Sequence, residues 1–168
     1  MEAIKNGYSA DELRAIAVTI ERNGDSLRIA TVYQAGFHTG GVRYRLLVPA
    51  RVALEVSNDA GGVSVAGLSG DVSVETQAGT IRADFGKVAL RRSIVLRATT
   101  GSIHCSLSRD SDATIDVSSS VGSISSDFPS IATRRESIVG MSAQGRLGSG
   151  SARITLSTTT GAVAIRER

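Results

Sequence analysis

The fold is decided by a short glycine-led unit that recurs along the chain as GVSVA (62–66), GDVSV (70–74), GTIRA (79–83), GSIHC (101–105), GSISS (122–126) and GAVAI (161–165). After each glycine, apolar and polar residues alternate, which is the pattern of a strand with one buried face. A strand of about five residues buries two or three side chains worth roughly 1.5–3 kcal/mol each, and ordering it costs a similar amount. We therefore expect the units to stack on one another.

The spacing of these glycines indicates how the units stack. Successive glycines are 8, 9, 22, 21 and 39 residues apart. Intervals near 20 fit one coil of a parallel β-solenoid, 39 fits two coils, and the short intervals fit successive sides of one coil. Glycine tolerates the backbone conformations of sharp corners. The sequence thus predicts an all-β parallel β-helix, with a β-sandwich of short strands as the alternative. The predicted turn glycines are Gly62, Gly70, Gly79, Gly101, Gly122 and Gly161.

The N-terminal part has a different pattern. Apolar residues alternate from Ile16 to Ile20, and Asn23-Gly24 supplies a tight turn, which together predict a β-hairpin. Ser9 and Glu12 have the spacing of a helix cap. The predicted organisation is a polar segment at 1–12 and a single domain at 13–168, made of a hairpin (13–33) and repeating strand units (42–168).

The charge of the chain is uneven. Residues 1–90 carry nine Lys/Arg and ten Asp/Glu, whereas residues 91–168 carry ten Arg, no Lys and six Asp/Glu. An arginine-rich half could contact an anionic ligand, or the charges could keep sheet edges from aggregating. The candidate anion-binding residues are Arg91, Arg92, Arg97, Arg134 and Arg135.

Few residues suggest catalysis. His104 and Cys105 are neighbours on a predicted strand and point to opposite faces, so they cannot form a nucleophile–base pair. His38 lies in a glycine-flanked loop, and Cys105 is expected to be a buried apolar residue. With a single cysteine, the chain has no internal disulfide and no multi-thiolate metal site. We predict that the protein is not an enzyme and has no catalytic residues.

An acidic cluster at Asp110, Asp112 and Asp116 has oxygen ligands that suit Ca²⁺, but Asp-x-Asp alone is more typical of a solvated turn. No phosphate-binding loop follows a strand. The arginines are not interleaved with aromatic residues, as a nucleic-acid-binding surface requires. We therefore predict no metal, no cofactor and no nucleic acid.

Three further segments carry a family resemblance: YRLLVP (44–49), GLSGDVSV (67–74) and the closing GSGSARITLSTTTGAVAI (148–165). Taken in this order with the glycine units, they resemble the bacterial DUF4097 family of adhesin-like domains, over roughly residues 13–166. The resemblance implies a right-handed parallel β-helix that is often associated with the cell envelope. It provides no catalytic residues.

These observations predict a non-catalytic, adhesin-like binding or structural module of the bacterial cell envelope, which presents a rigid β surface to envelope glycan, anionic lipid or another protein. A sensor or regulatory module acting through a fused or partner protein is the first alternative, and a carbohydrate-active enzyme on a β-helix is the second. No signal peptide or spanning segment stands in the sequence. The expected location is the envelope or the exterior, with the cytoplasm as the alternative.

The ends of a solenoid expose unpaired strands unless they are capped. The hairpin at 13–33 could cap one end, and the charges of Arg166-Glu167-Arg168 could blunt the other. A monomer is therefore expected, with weak end-to-end assembly as the alternative.

Overall fold

Residues 1–34, 40–88, 91–135 and 138–168 are described by the structure, a computed structural model. They are mostly β-strand, and none of them belongs to a helix of the length and apolarity needed to span a membrane. The chain divides into two compact units, Met1–Val48 and Pro49–Arg168. The sequence predicts one domain over 13–168, whereas the structure places the hairpin and the strand before Pro49 in the first unit.

The first unit contains two small sheets. Its elements are β1 (Glu2–Asn6), α1 (Ala10–Ala15), β2 (Ile16–Asn23), β3 (Ser26–Tyr33) and β4 (Gly41–Arg45). β1 pairs antiparallel with β4, and β2 pairs antiparallel with β3, which is the predicted hairpin. The Ser9 side chain caps α1 by accepting a hydrogen bond of 3.2 Å from the Glu12 backbone N–H. The polar segment at 1–12 therefore supplies a strand as well as the start of a helix.

The second unit is built on one sheet that contains all the glycine-led units. Its strands are β5 (Leu54–Ala60), β6 (Val63–Ala66), β7 (Val72–Gly86), β8 (Ser93–Leu107), β9 (Ala113–Ser126), β10 (Ile131–Arg135), β11 (Met141–Leu147) and β12 (Ala152–Glu167). The order across the sheet is β10-β11-β9-β12-β8-β7-β5, and β6 also pairs with β7. The pairs from β9 to β5 are parallel, while β10 and β11 are antiparallel additions. Among the described residues this sheet does not close on itself.

A column of stacked glycines crosses this sheet, and we call Gly61, Gly79, Gly101, Gly161 and Gly122 the glycine column. Gly79 lies opposite Gly101, and Gly161 lies opposite Gly122. All five have positive φ, between 108° and 152°. From Gly79 onward, a Cβ on each glycine would overlap the carbonyl oxygen of the preceding member. Only glycine fits such a close approach of backbones.

The strands change phase at the glycine column. In β7 the buried positions are 72, 74 and 76 before Gly79, and 81, 83 and 85 after it. The odd step from Thr76 to Ile81 would turn Ile81 outward in a regular strand, because strand side chains alternate. The positive φ at Gly79 changes the direction of the chain, so both halves of β7 face the same core. The column is where each long strand bends.

The predicted turn glycines can now be placed. Gly79, Gly101, Gly122 and Gly161 belong to the glycine column. Gly62 lies one residue beyond it, because Gly61 carries the positive φ at that position. Gly70 lies outside the column, just before β7, where a Cβ would overlap the Val52 carbonyl group.

The last strand does not stack in chain order. The interval of 39 residues between Gly122 and Gly161 predicts two coils, and that prediction is wrong. The chain forms β10 and β11 and then returns, so that β12 inserts between β8 and β9. There Ile154, Leu156 and Ile165 lie in the middle of the core and are essentially fully buried. Burial of this apolar face stabilises β12 in that central position.

Because β12 is central, Arg166-Glu167-Arg168 does not blunt a sheet edge as predicted. The three side chains instead form ion pairs that fasten the chain end. Arg166 pairs with Asp127 at 2.8 Å, Glu167 with Arg109 at 2.7 Å, and Arg168 with Asp84 at 3.0 Å.

Hydroxyl side chains complete the corner beside the glycine column. Thr158 and Ser119 are buried although they are polar. Thr158 donates to the Gly101 carbonyl at 3.2 Å, and Ser119 donates to the Gly161 carbonyl at 3.1 Å. These bonds satisfy buried hydroxyls and hold neighbouring strands together at the bend.

Candidate binding face

The outer surface of the sheet before the glycine column is almost entirely polar. Its residues alternate along each strand with residues of the core, so the pattern that turns Val and Ile inward turns these polar residues outward. We call these outward residues the polar face. They include Glu55, Ser57, Ser73, Glu75, Arg97, Arg153, Thr155, Ser157, Thr114, Asp116, Ser118, Ser142, Gln144, Arg146 and Arg134.

Hydroxyl groups form a row across the middle of the polar face. Ser157 on β12 lies opposite Ser118 on β9, which lies opposite Ser142 on β11. Adjacent strands are about 4.8 Å apart, so the three side chains repeat at that interval. Each hydroxyl can both donate and accept a hydrogen bond. A row of this kind suits a polar ligand whose groups also repeat.

Two ion pairs link neighbouring strands on the polar face. Arg97 Nη1 lies 3.0 Å from Glu75 Oε1, and Arg153 Nη1 lies 3.7 Å from Asp116 Oδ2. Three of the four side chains are more than half exposed and that of Asp116 is 34% exposed, so each pair contributes at most about 1 kcal/mol to stability. They also reduce the net charge of the polar face beyond Ser157 and along β9 and β12.

Arg92, one of the predicted anion-binding residues, is buried. Its side chain is 9% exposed, stands over the Phe85 ring at 5.1 Å from the centroid, and donates from Nη1 to the Leu68 carbonyl at 2.8 Å. Burial lowers the pKa of its guanidinium, although the Asp71 carboxylate acts to raise it. Nε and Nη2 are buried and have no hydrogen-bond partner among the residues that the structure describes. Arg92 therefore belongs to the packing at the start of β8 and not to an outer surface.

The other predicted arginines do not converge. Arg91 is exposed next to the buried Arg92, and Arg97 is paired with Glu75. Arg134 lies in the same row as Arg97, but Ser157, Ser118 and Ser142 separate them, a distance of about 19 Å at the usual strand spacing.

Arg134 and Arg135 are exposed neighbours on β10, so they point to opposite faces of that strand. The structure thus does not bring the five arginines into one basic patch.

Cys105 and His104 have the opposite orientations that the strand pattern predicts. Cys105 is fully buried, and burial raises the pKa of its thiol to about 12. His104 is exposed on the other side of β8. His38 lies outside the described residues. The thiol and the imidazole therefore cannot act together.

Asp112, a member of the acidic cluster, has a structural role. Its carboxylate accepts hydrogen bonds from the Ser149 hydroxyl at 2.8 Å and from the Ser151 amide at 3.0 Å, and also from the Gly150 amide. These bonds, led by that of the Ser151 amide, lower the pKa of Asp112 to about 2. Over the described parts of the chain, no three His, Cys, Asp or Glu side chains are grouped so as to hold a metal ion. Asp112 instead fastens the turn between β11 and β12.

Comparison with known families agrees with this architecture. The Toastrack DUF4097 family model matches residues 50–166, which is most of the chain and nearly all of the second unit. The chain belongs to the Toastrack DUF4097 family. The resemblance read from the sequence motifs is thereby confirmed.

A solved structure has a similar fold. A candidate cell adhesion protein from Clostridium sporogenes is similar with a TM-score of 0.54 and 10% sequence identity, over 91% of this chain and 76% of that one. At this identity the likeness establishes the fold alone. No curated protein matches the sequence. Together these comparisons assign the chain a mostly β, β-solenoid-like fold.

Within the Toastrack domain, sequence reasoning missed two arginines of the polar face. Arg153 and Arg146 lie in one row on either side of Thr114. The sequence does indicate that both arginines point outward. Arg153 lies between the apolar residues Ala152 and Ile154, and Arg146 immediately precedes the buried Leu147. That they share a row could not be read from the sequence, because β12 pairs out of chain order.

Proposed function

We propose that this Toastrack domain is a non-catalytic, adhesin-like binding module of the bacterial cell envelope and that the polar face is its contact surface. The observation that carries the proposal is the hydroxyl row of Ser157, Ser118 and Ser142 on three adjacent strands. The backbone beneath this row is held by strand pairing on both sides. Little conformational entropy is then lost when a ligand docks, which favours binding by a rigid surface.

Envelope glycan is the ligand class that the chemistry of the polar face favours. Hydroxyl and amide groups such as those of Ser118, Thr155 and Gln144 can donate and accept hydrogen bonds with a hydroxylated polymer. The carboxylates of Glu75 and Asp116 are each paired with an arginine of a neighbouring strand. The similarity to a candidate cell adhesion protein is consistent with this role. We further propose that the stacked strands form a rigid β-solenoid.

Two serines of β9 make a matched test. Ser118 and Ser125 are both exposed, but they lie on opposite sides of Gly122, so only Ser118 belongs to the polar face. We expect Ser118→Arg to weaken co-sedimentation with insoluble cell-wall glycan at least about tenfold, or roughly 1.4 kcal/mol. Ser125→Arg should bind like the wild type.

The same measurement with vesicles that contain an anionic phospholipid separates the ligand classes. Binding to vesicles but not to glycan would contradict the glycan proposal. Equal glycan binding by Ser118→Arg and Ser125→Arg would show that the polar face is not the contact surface. Fractionation of the native cells tests the envelope location, which requires the protein in the wall or membrane fraction.

A further inference from the structure

The sheet of the second unit ends in two strands, β5 and β10, that each pair on one side only within the described ranges. The outer backbone N–H and C=O groups of such strands are free to pair with another chain. Leu54 and Val56 on β5 are only partly buried, so the apolar column of the core also continues to this edge. Each end therefore offers both hydrogen-bonding groups and apolar surface.

The two edges carry opposite charges. Glu55 and Asp59 are exposed on β5, and Arg134 and Arg135 are exposed on β10. Neither arginine has an ion-pair partner in the part of the chain that the structure describes. An acidic edge repels another acidic edge, and a basic edge repels another basic one, so only unlike edges attract.

The strand directions also match. β10 is antiparallel to β11, and β11 is antiparallel to β9, so β10 runs in the same direction as β9 and β5. A second copy shifted along the stack, without being turned over, would place its β10 beside β5 as one more parallel pair. With inward residues kept inward, Arg134 would lie opposite Ser57 and between Glu55 and Asp59.

A pair of this type already exists inside the chain. Glu75 and Arg97 lie opposite one another on parallel strands and form an ion pair of 3.0 Å. The Arg134 contact would be a diagonal version of that geometry, two residues out of register with either carboxylate, a separation that a long arginine side chain can span. The charges predicted to blunt an edge, Arg166-Glu167-Arg168, lie in the sheet interior and leave both edges open.

We propose that a second copy of this chain docks its β10 on β5, so that molecules associate head to tail. Because the two surfaces differ, the contact is heterologous and can continue from copy to copy. The parallel ladder would then extend across molecules and lengthen the polar face. This inference stands independently of what the polar face binds.

Charge reversal tests the proposal. Sedimentation of the full chain should show association that depends on protein concentration and weakens as ionic strength rises from about 0.05 to 0.5 M, where charges are screened. Arg134→Glu with Arg135→Glu should weaken self-association at least about tenfold, and so should Glu55→Arg with Asp59→Arg. An equimolar mixture of the two variants should associate again, because each supplies an edge that complements the other.

Arg91→Glu with Arg146→Glu is the matched control, since it reverses two exposed arginines that lie on neither edge, and it should associate like the wild type. Circular dichroism spectra and unfolding midpoints establish that each variant is folded. A wild type that stays monomeric at low ionic strength overturns the proposal. So does an edge variant that associates like the wild type, a mixture that does not restore association, or a control that loses it.

Discussion

The glycine column makes a sharp prediction about two alanine substitutions. Gly61 and Gly101 both have positive φ, 108° and 135°, so alanine is strained at either position. They differ in their surroundings. A Cβ on Gly61 would have no atom within 4 Å, whereas a Cβ on Gly101 would lie 2.7 Å from the carbonyl carbon of Gly79 and closer still to its oxygen. The pair separates backbone strain from the close approach of two strands.

The expected costs follow from these contacts. Strain at positive φ costs about 1–3 kcal/mol, and the reduced entropy of the unfolded chain offsets about 0.4–1 kcal/mol of it. Gly61→Ala should therefore lower the free energy of unfolding by about 1–2 kcal/mol. Gly101→Ala carries the same strain and must also push β7 and β8 apart. Overpacking of this kind costs about 1–3 kcal/mol, and each ladder hydrogen bond lost adds about 0.5–1.5 kcal/mol.

Urea unfolding followed by far-ultraviolet circular dichroism measures the difference. With roughly 1–3 kcal/mol per molar of urea, we expect the midpoint of Gly101→Ala to lie about 1–2 M below that of Gly61→Ala. Equal midpoints for the two variants would refute the reasoning, because the stacking of the column would then contribute nothing beyond the preference for positive φ.

Three further predictions concern side chains that the fold uses. The pKa of Asp112 is lowered to about 2, so the stability that its carboxylate provides is complete above the unfolded pKa near 4 and is lost as pH falls toward 2. The urea midpoint of Asp112→Asn should therefore lie below that of the wild type at pH 5 and approach it near pH 2. Asp110→Asn should match the wild type at both pH values. Because burial raises the pKa of Cys105 to about 12, a thiol reagent at pH 8 should label it only after denaturation, and rapid labelling of the native protein would contradict its burial. Arg92→Ala should lower the free energy of unfolding by about 2–4 kcal/mol, because it removes a buried side chain and leaves the Leu68 carbonyl without its donor. Arg91→Ala changes an exposed side chain, so its free energy of unfolding should stay within about 0.5 kcal/mol of the wild type.

Local pattern was sufficient for the strands and for most of the glycine column. A glycine followed by alternating apolar residues has few compact solutions other than a bent strand against a core, and Gly79, Gly101, Gly122 and Gly161 all follow that rule. The one-residue error at Gly62 has a simple cause. Two glycines are adjacent there, and only the register Val63–Ile81 identifies Gly61 as the one that meets Gly79.

Long-range pairing was not readable in the same way. Nothing in the composition of β12 distinguishes a place after β9 from a place between β8 and β9, because both bury the same alternating face. The arginines illustrate the consequence. Arg92 reads as an outward charge from its neighbours in sequence, but it lies in the packing before β8 over Phe85, while Arg146 and Arg153 share a row only because of the inserted strand.

Packing and strand pairing do not explain in the same way why serine stands at positions 118 and 157 of the polar face. Packing determines which residues stand at the inward positions, and the close approach of carbonyl groups requires glycine in the glycine column. Outward positions on a strand favour β-branched and aromatic residues, and a soluble surface is well served by mixed charges. Ser157 and Ser118 satisfy neither preference, yet they lie side by side on β12 and β9, which are not consecutive in the chain. This departure from what the fold requires makes the hydroxyl row, rather than the arginines, the surface on which to test binding first.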